Sequence, residues 1–154
     1  MKKALFVGFA ALIIGPAAQG QLNSADLRWG AAPPGLPPEA QLAVLSGDPG
    51  KEGMFTIRLK FPANYAVPPH HHPSDELVTV IEGQMSIAMG DTLDRAKAAT
   101  LGQAGYIALP ANMNHYAFTG SGATIQITSH GPFQIIYVNP ADDPRSAKAP
   151  ERGR

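Results

Sequence analysis

The stretch His70-His71-His72-Pro73-Ser74-Asp75-Glu76 decides how this chain is interpreted. Side chains two residues apart leave the same face of an extended strand, so we expect His70 and His72 to point together and His71 to point away. Glu76 adds a carboxylate four residues after His72. Two imidazoles and a carboxylate at this spacing are what a first-row transition metal needs from one stretch of protein.

A second stretch supplies another imidazole. Residues 110–114, Pro-Ala-Asn-Met-Asn, are turn-forming, and His115 follows them at the start of a strand-like run. The sequence therefore predicts a metal site whose ligands are His70, His72, Glu76 and His115. The chain has no cysteine, and a ligand set of imidazole and carboxylate suits one divalent transition metal: iron, manganese, nickel, copper, cobalt or zinc.

Together the two stretches resemble the two motifs of the cupin superfamily. The first is His70-x-His72-x3-Glu76-x6-Gly83, and the second is Pro110-x-Asn112-x2-His115. The family has glycine where this chain has Asn64 and Asn112, and asparagine is enriched among non-glycine residues at positive φ. The resemblance implies an all-β fold, an antiparallel double-stranded β-helix (the jelly roll or cupin barrel), with a single pair of motifs.

Two neighbours of the predicted ligands need separate roles. By strand parity, His71 is expected to support the site from outside or to face solvent. Asp75 competes with Glu76 as a ligand, but the family register and the spacing to Gly83 favour Glu76. We expect Asp75 to cap the turn or to hold a ligand histidine.

Short strand-like runs separated by turn signals support an all-β chain. The stretch at 93–99 is expected to be a loop with at most one helical turn. The predicted strands are Gln41–Leu45, Met54–Phe61, Leu77–Ile81, Gln84–Met89, Tyr106–Leu109, His115–Phe118, Ala123–Thr128 and Phe133–Val138.

The N-terminus is typical of a secretory signal peptide. Lys2 and Lys3 precede an apolar run at 4–14 and small residues before Gln21. We therefore expect export to the periplasm or the extracellular space. The predicted parts are a signal peptide at 1–20, a proline-rich N-terminal arm at 21–40, a cupin domain at 41–145 and a flexible tail at 146–154.

The composition limits the partners. The 12 basic and 12 acidic residues balance without a cluster of either sign, and no segment after the leader has the roughly 20 apolar residues of a membrane helix. We expect neither a nucleic acid nor a membrane as partner. The expected partners are a small-molecule substrate or ligand and a second copy of the chain in a homodimer. The arm is expected to lie outside the barrel or on that second copy.

Three polar residues are candidates for substrate binding: Gln126, Arg58 and Tyr106. Gln126 alternates with Ile125 and Ile127, so its row faces either the pocket or solvent, and Arg58 has the same ambiguity. Residues expected to line the pocket or the core are Tyr106, Tyr116, Phe118 and Met85.

Three imidazoles and one carboxylate leave coordination positions open, which is typical of catalytic metal sites. The cupin resemblance leaves three functions open. The first is dioxygenase-like chemistry on a chelating enol, catechol or diketone. The second is a redox-neutral isomerase, lyase or decarboxylase, which needs a proton carrier near the metal. The third is a non-catalytic protein that binds a small molecule or a metal. The candidate proton carriers are Tyr106, Tyr116, His71 and His130.

Overall fold

Runs in which apolar and polar residues alternate form eleven strands in residues 21–146, the part of the chain that the computed structural model describes. The predicted signal peptide at 1–20, and all of the predicted tail except Ser146, lie outside the described residues. The strands are β1 Gly30–Ala31, β2 Gln41–Ser46, β3 Gly53–Phe61, β4 Tyr65–His71, β5 Glu76–Gly83, β6 Met85–Met89, β7 Ala99–Leu101, β8 Tyr106–Leu109, β9 His115–Thr119, β10 Ala123–Gly131 and β11 Ile136–Tyr137.

The strands form two antiparallel sheets. One has the order β1-β2-β3-β10-β5-β8 and the other the order β11-β4-β9-β6-β7. Neighbours in the sheets are often far apart in sequence, as in a jelly roll, where consecutive strands alternate between the sheets. The predicted all-β, antiparallel cupin jelly roll is confirmed.

The core lies between the two sheets. In β3, Phe55, Ile57 and Leu59 are buried, whereas Thr56 and Arg58 between them are only partly buried. This alternation places one face of each strand against the opposite sheet. The buried apolar side chains of both sheets join in one cluster. The interior face is therefore almost wholly apolar, and the metal-binding motifs are exceptions within it.

Most predicted strands are observed, but the short strands β1 and β7 were not predicted, and there are two larger differences. The run predicted at 133–138 is a strand only at Ile136–Tyr137. The predicted set also omits β4, whose centre carries Pro68 and Pro69, which cannot donate to a ladder. The register against β9 shifts between Val67 and His70, so the sheet accommodates the prolines there. The predicted loop at 93–99 holds one 3-10 turn and the first residue of β7.

Residues 33–36 of the N-terminal arm reach into the barrel and do not lie on its outside, which was one of the two expected positions. Its β1 pairs with β2 at a sheet edge, but Leu36 belongs to the core, and residues 33–36 line the interior cavity. Two tyrosine hydroxyls hold this part of the arm. Tyr137 donates to the carbonyl oxygen of Gly35 at 2.8 Å, and Tyr65 donates to that of Pro37 at 2.5 Å. The arm therefore covers one end of the cavity.

Both asparagines that replace family glycines adopt the left-handed conformation. Asn64 and Asn112 each have φ of 60°, so the turns that the family makes with glycine are preserved. Within residues 21–146 there is no helix long and apolar enough to cross a membrane.

Gly83, the last residue of β5, shows how strictly the first motif depends on its closing glycine. Its φ is +74°, and a Cβ there would clash with the backbone carbonyl oxygen of Gly122. We predict that Gly83→Ala lowers the free energy of unfolding by about 2–3 kcal/mol, measured by urea denaturation. The control is Gly102→Ala, because Gly102 has open space around its Cβ position. A Gly83→Ala protein as stable as this control would contradict the prediction.

Candidate metal centre

The four predicted ligands come together from both sheets. His70 on β4 and His115 on β9 are directly opposed across the ladder. His72 follows the end of β4, and Glu76 begins β5 in the other sheet. All four side chains are buried, with exposed fractions of 5, 3, 2 and 6% for His70, His72, His115 and Glu76. The fold thus concentrates four polar side chains at one point of an apolar interior.

Each imidazole is held by a backbone carbonyl. Nδ1 of His70 lies 2.7 Å from the carbonyl oxygen of Pro68, and Nδ1 of His115 lies 2.9 Å from that of Met113, in both cases two residues back along the chain. Nδ1 of His72 lies 2.6 Å from the carbonyl oxygen of Gln134. A carbonyl can only accept, so all three Nδ1 atoms carry the proton and, in the neutral ring, each Nε2 presents a lone pair.

The Nε2 atoms face a carboxylate instead of hydrogen-bond donors. Nε2 of His72 and Nε2 of His115 each lie 3.4 Å from Oε2 of Glu76. Both Nε2 atoms are buried and have no hydrogen-bond partner in the part of the chain that the structure describes. Ring nitrogens of His70, His72 and His115 lie within 4.8 Å of one another. Lone pairs beside a carboxylate repel unless a proton or a metal ion lies between them, and the donors and their spacing fit a metal ion.

The pKa shifts of His70 and Glu76 agree with such a donor set, whereas the raised pKa of His72 favours a proton on its ring until a metal displaces it. Burial lowers the pKa of His70 to about 3, and the neighbouring His115 and His72 lower it further. Burial alone would raise the pKa of the Glu76 carboxyl, but the contacts with His115 and His72 outweigh burial and hold it below its usual range. Burial also lowers the pKa of His72, but Glu76 raises it above its ordinary value. The site therefore keeps Glu76 ionised and His70 neutral.

The four residues line a cavity of about 340 Å³ between the sheets. Its walls are apolar, with residues such as Ile57, Val78, Met85 and Ile125. Six polar or charged side chains from the described residues line it: His70, His72, Glu76, His115, Gln134 and Arg145. A small and mostly apolar molecule fits such a space, with the polar group at its inner end.

The segment after β10 forms one wall of the centre. The Phe133 ring stacks on His72, with the ring centroids 4.3 Å apart and the planes at 16°. Phe133 also meets Phe55 edge-on at 5.1 Å. Together with the hydrogen bond to the Gln134 carbonyl oxygen, these contacts fix the His72 ring in two directions.

The two neighbours of the ligands lie outside the centre. His71 points away, as predicted from strand parity, and its Nδ1 lies 2.9 Å from Oδ1 of Asn114. Asp75 caps the loop of the second motif, since its Oδ1 accepts from the Ala111 amide at 2.8 Å. Asp75 makes no hydrogen bond to a histidine among the described residues, so only the capping half of its predicted role is observed.

The three candidate substrate-binding residues are not among the described residues that line the cavity. Arg58 and Gln126 are cross-strand partners on the face opposite to Ile57 and Ile125, and Nε of Arg58 donates to Oε1 of Gln126 at 3.1 Å. Tyr106, on the edge strand β8, is 57% exposed. The polar row faces outward because the apolar residues that alternate with it fill the interior.

The other candidates divide in the same way. Met85 lines the cavity as expected. Tyr116 and Phe118 are buried but do not line it, because the Tyr116 hydroxyl donates to the carbonyl oxygen of Asp94 at 2.7 Å and Phe118 packs under Arg95. His130 is exposed at the end of β10. None of the four candidate proton carriers, Tyr106, Tyr116, His71 and His130, is among the described residues that line the cavity.

Three residues of this region were not predicted to belong to the site: Phe133, Gln134 and Arg145. The Gln134 contact is made by a backbone carbonyl to a histidine 62 positions away, and such a contact leaves no mark on side-chain spacing. The short turn-forming run at 139–145 gives no sign that Arg145 folds back to the cavity.

The antiparallel jelly roll with a buried group of three histidines and a carboxylate defines a cupin-fold protein with a candidate metal centre. The chain belongs to the family described as a domain of unknown function (DUF4437), whose pattern matches residues 19–136. No curated protein matches the chain in sequence.

Solved structures share the fold at low identity. The polyketide cyclase RemF from Streptomyces resistomycificus has a TM-score of 0.63 at 19% identity, covering 80% of this chain and 88% of its own. The DMSP lyase DddQ from Ruegeria pomeroyi has a TM-score of 0.58 at 17% identity, covering 73% and 61%. An RmlC-like cupin from Shewanella frigidimarina has a TM-score of 0.56 at 14% identity, covering 71% and 87%. These likenesses show the cupin fold.

The Asp75 cap gives a prediction about the loop that positions His115. Asp75→Ala should lower the free energy of unfolding by about 1 kcal/mol, because the Ala111 amide loses its acceptor. Asp75→Asn should keep most of the stability, since its side-chain carbonyl can accept the same hydrogen bond. Denaturant unfolding of both variants measures this. Equal losses in the two would show that the charge matters and not the cap.

Proposed function

We propose that this protein is a metal-dependent enzyme that holds one divalent transition metal through His70, His72, His115 and Glu76. The proposed reaction is dioxygenase-like chemistry on a small molecule with a chelating enol, catechol or diketone group. The observation that carries the proposal is the pair of buried Nε2 atoms, on His72 and His115, that face a carboxylate without a hydrogen-bond partner among the described residues. A metal ion would accept the lone pairs of these two nitrogen atoms.

The proposed metal ligands are already oriented in the protein without metal. The three backbone carbonyls fix the imidazole tautomers, so little reorganisation is needed on binding. Glu76 supplies one negative charge. When bound, the metal supplies Lewis acidity and open positions for substrate oxygens and dioxygen. Four protein ligands leave such positions on ions that accept five or six.

The cavity supports a substrate that brings its own metal-binding oxygens. Apart from the four proposed ligands, the polar side chains that line it from the described residues are Gln134 and Arg145. An apolar body packed against Ile57, Val78 and Ile125 would exclude water from the inner end. The site is buried and enclosed between two sheets, which favours an enzyme over the non-catalytic alternative.

The polar side chains that line the cavity favour dioxygenase-like chemistry over the redox-neutral alternative. An isomerase, lyase or decarboxylase needs a group that moves a proton next to the metal. None of the candidate tyrosines and histidines lines the cavity, so within the described residues Glu76 itself would have to serve. Its depressed pKa makes it a weak base. The redox-neutral reaction is therefore the second candidate.

Export and dimerisation remain proposals from the sequence. The signal-like pattern at residues 1–20 supports a periplasmic or extracellular location. A homodimer and a small-molecule ligand are the proposed partners.

The metal site is tested by elemental analysis of the full chain, purified without added metal, beside three variants. We expect about one transition metal per chain in the wild type and in His71→Ala, whose ring points away from the centre. His72→Ala and His115→Ala should lose metal, with affinity reduced by more than about 100-fold. Metal content equal in all four proteins would contradict the site.

The reaction is tested by oxygen uptake of the metal-loaded protein with a catechol, a flavonol and a β-diketone. Uptake that is lost in His72→Ala and kept in His71→Ala is the expected result. Turnover of a substrate without oxygen consumption would favour the redox-neutral alternative. Binding without any turnover across wider panels would favour the non-catalytic one.

A further inference from the structure

The cavity has a polar entrance in addition to its buried group of proposed metal ligands. Most residues that line it are buried or partly buried, and in the described chain the exposed ones are Pro33, Pro34, Gln134 and Arg145. These four mark the mouth, while the proposed ligands lie buried within. Because Arg145 is at the mouth, it lies on the path of any molecule that enters.

Arg145 is held in place by its own neighbours. Its Nε donates to Oδ1 of Asp143 at 2.7 Å, and its Nη2 donates to Oδ2 of Asp143 at 2.8 Å. Nη2 also donates to the carbonyl oxygen of Ile135 at 2.8 Å. These bonds fix the guanidinium plane, so little side-chain entropy remains to be lost when a ligand binds.

One nitrogen of Arg145 is left without a partner. Nη1 makes no hydrogen bond to any residue in the described range 21–146. It faces the N-terminal arm, 3.7 Å from the position of a Cβ on Gly35. Its two N–H groups are therefore available to an acceptor that lies between the arm and the C-terminal segment.

The charges favour an anionic acceptor there. Among the described residues that line the cavity, Arg145 is the cationic side chain and Glu76, deep inside, is the anionic one. A divalent metal beside Glu76 would leave the inner end with one net positive charge. Neither end would then favour a cationic group, and a planar carboxylate matches the donors of a guanidinium.

We propose that Arg145 is a specificity-determining residue that selects substrates with a carboxylate at the end remote from the metal. The substrate class is a small, mainly apolar molecule with chelating oxygens at one end and a carboxylate at the other. This inference rests on the proposed metal site, which binds the chelating end. Asp143 orients Arg145 and moderates its charge, so the preference is modest.

Two matched probes test the inference: 3,4-dihydroxyphenylacetate and its neutral amide, 3,4-dihydroxyphenylacetamide. Each is titrated by calorimetry, without oxygen, into the nickel-loaded full chain, since nickel(II) accepts six ligands and does not oxidise the catechol under these conditions. We expect the carboxylate to bind about 5- to 10-fold more tightly than the amide. In Arg145→Gln the ratio should fall to within about 2-fold while the amide affinity stays unchanged.

Three further variants separate charge selection from other roles. Arg95→Gln, on an exposed arginine that packs over Phe118, should keep the ratio. Asp143→Asn removes the carboxylate that pairs with Arg145 but keeps the guanidinium, so the ratio of carboxylate to amide affinity should stay the same or rise. If the Arg145–Asp143 pair acted only by holding the structure, Arg145→Gln and Asp143→Asn would both lose the selectivity. His72→Ala should weaken both probes equally, since it removes the metal anchor.

The outcomes distinguish the two proposals. Equal affinities of the probes in the wild type, or an unchanged ratio in Arg145→Gln, would overturn the role of Arg145 and leave the metal site standing. Probe binding that is unaffected by His72→Ala would count against the metal anchor alone. If neither probe binds, the substrate class is wrong and the inference falls with it.

Discussion

The hydrogen bonds from three imidazoles to three backbone carbonyls are the interaction on which the site depends. Because a carbonyl oxygen can only accept, the contacts with Pro68, Met113 and Gln134 fix the proton on Nδ1 and turn Nε2 toward the centre. Two of these contacts are local. The third is made by the segment after β10, so His72 is oriented only when that segment is packed against the barrel.

The buried Glu76 carboxylate also points to a cation at the centre. A charge in an apolar interior is costly unless it is paired, and its near neighbours are imidazole nitrogens that present lone pairs. The same interior keeps His70 neutral by lowering its pKa. The folded chain therefore holds four donors together at a cost in stability, and a cation would repay that cost on binding. Under the two proposals above, the reaction takes place at the buried ligands and the selection of substrate at the polar mouth.

Much of the centre could be predicted from the sequence because it rests on local geometry. Strand parity separated His70 and His72 from His71, and the positive φ of Asn64 and Asn112 preserved the turns of both motifs. The face of Arg58 and Gln126 could not be fixed in this way, since a polar row along a strand fits either a wet pocket or solvent. Apolar side chains fill the interior, so the polar row with Arg58 and Gln126 faces outward.

Contacts between distant parts of the chain could not be predicted from the sequence either. The Tyr137 hydroxyl meets Gly35 across 102 positions, and the Gln134 carbonyl meets His72 across 62. The prolines of the arm led to the expectation that it lies outside the barrel or on a second copy, whereas β1, just before them, pairs with β2 at a sheet edge. They did not indicate that the arm turns over the end of the cavity, because that position depends on tyrosine hydroxyls from two other strands.

Anomalous diffraction from crystals of the metal-loaded protein, recorded at the absorption edge of the metal, tests the central claim most directly. The account predicts one strong peak in the cavity, with Nε2 of His70, His72 and His115 and an oxygen of Glu76 at about 2.0–2.2 Å, and with the three Nδ1 contacts to backbone carbonyls intact. A peak on the surface, ligation through Nδ1, or no peak in the cavity would contradict it.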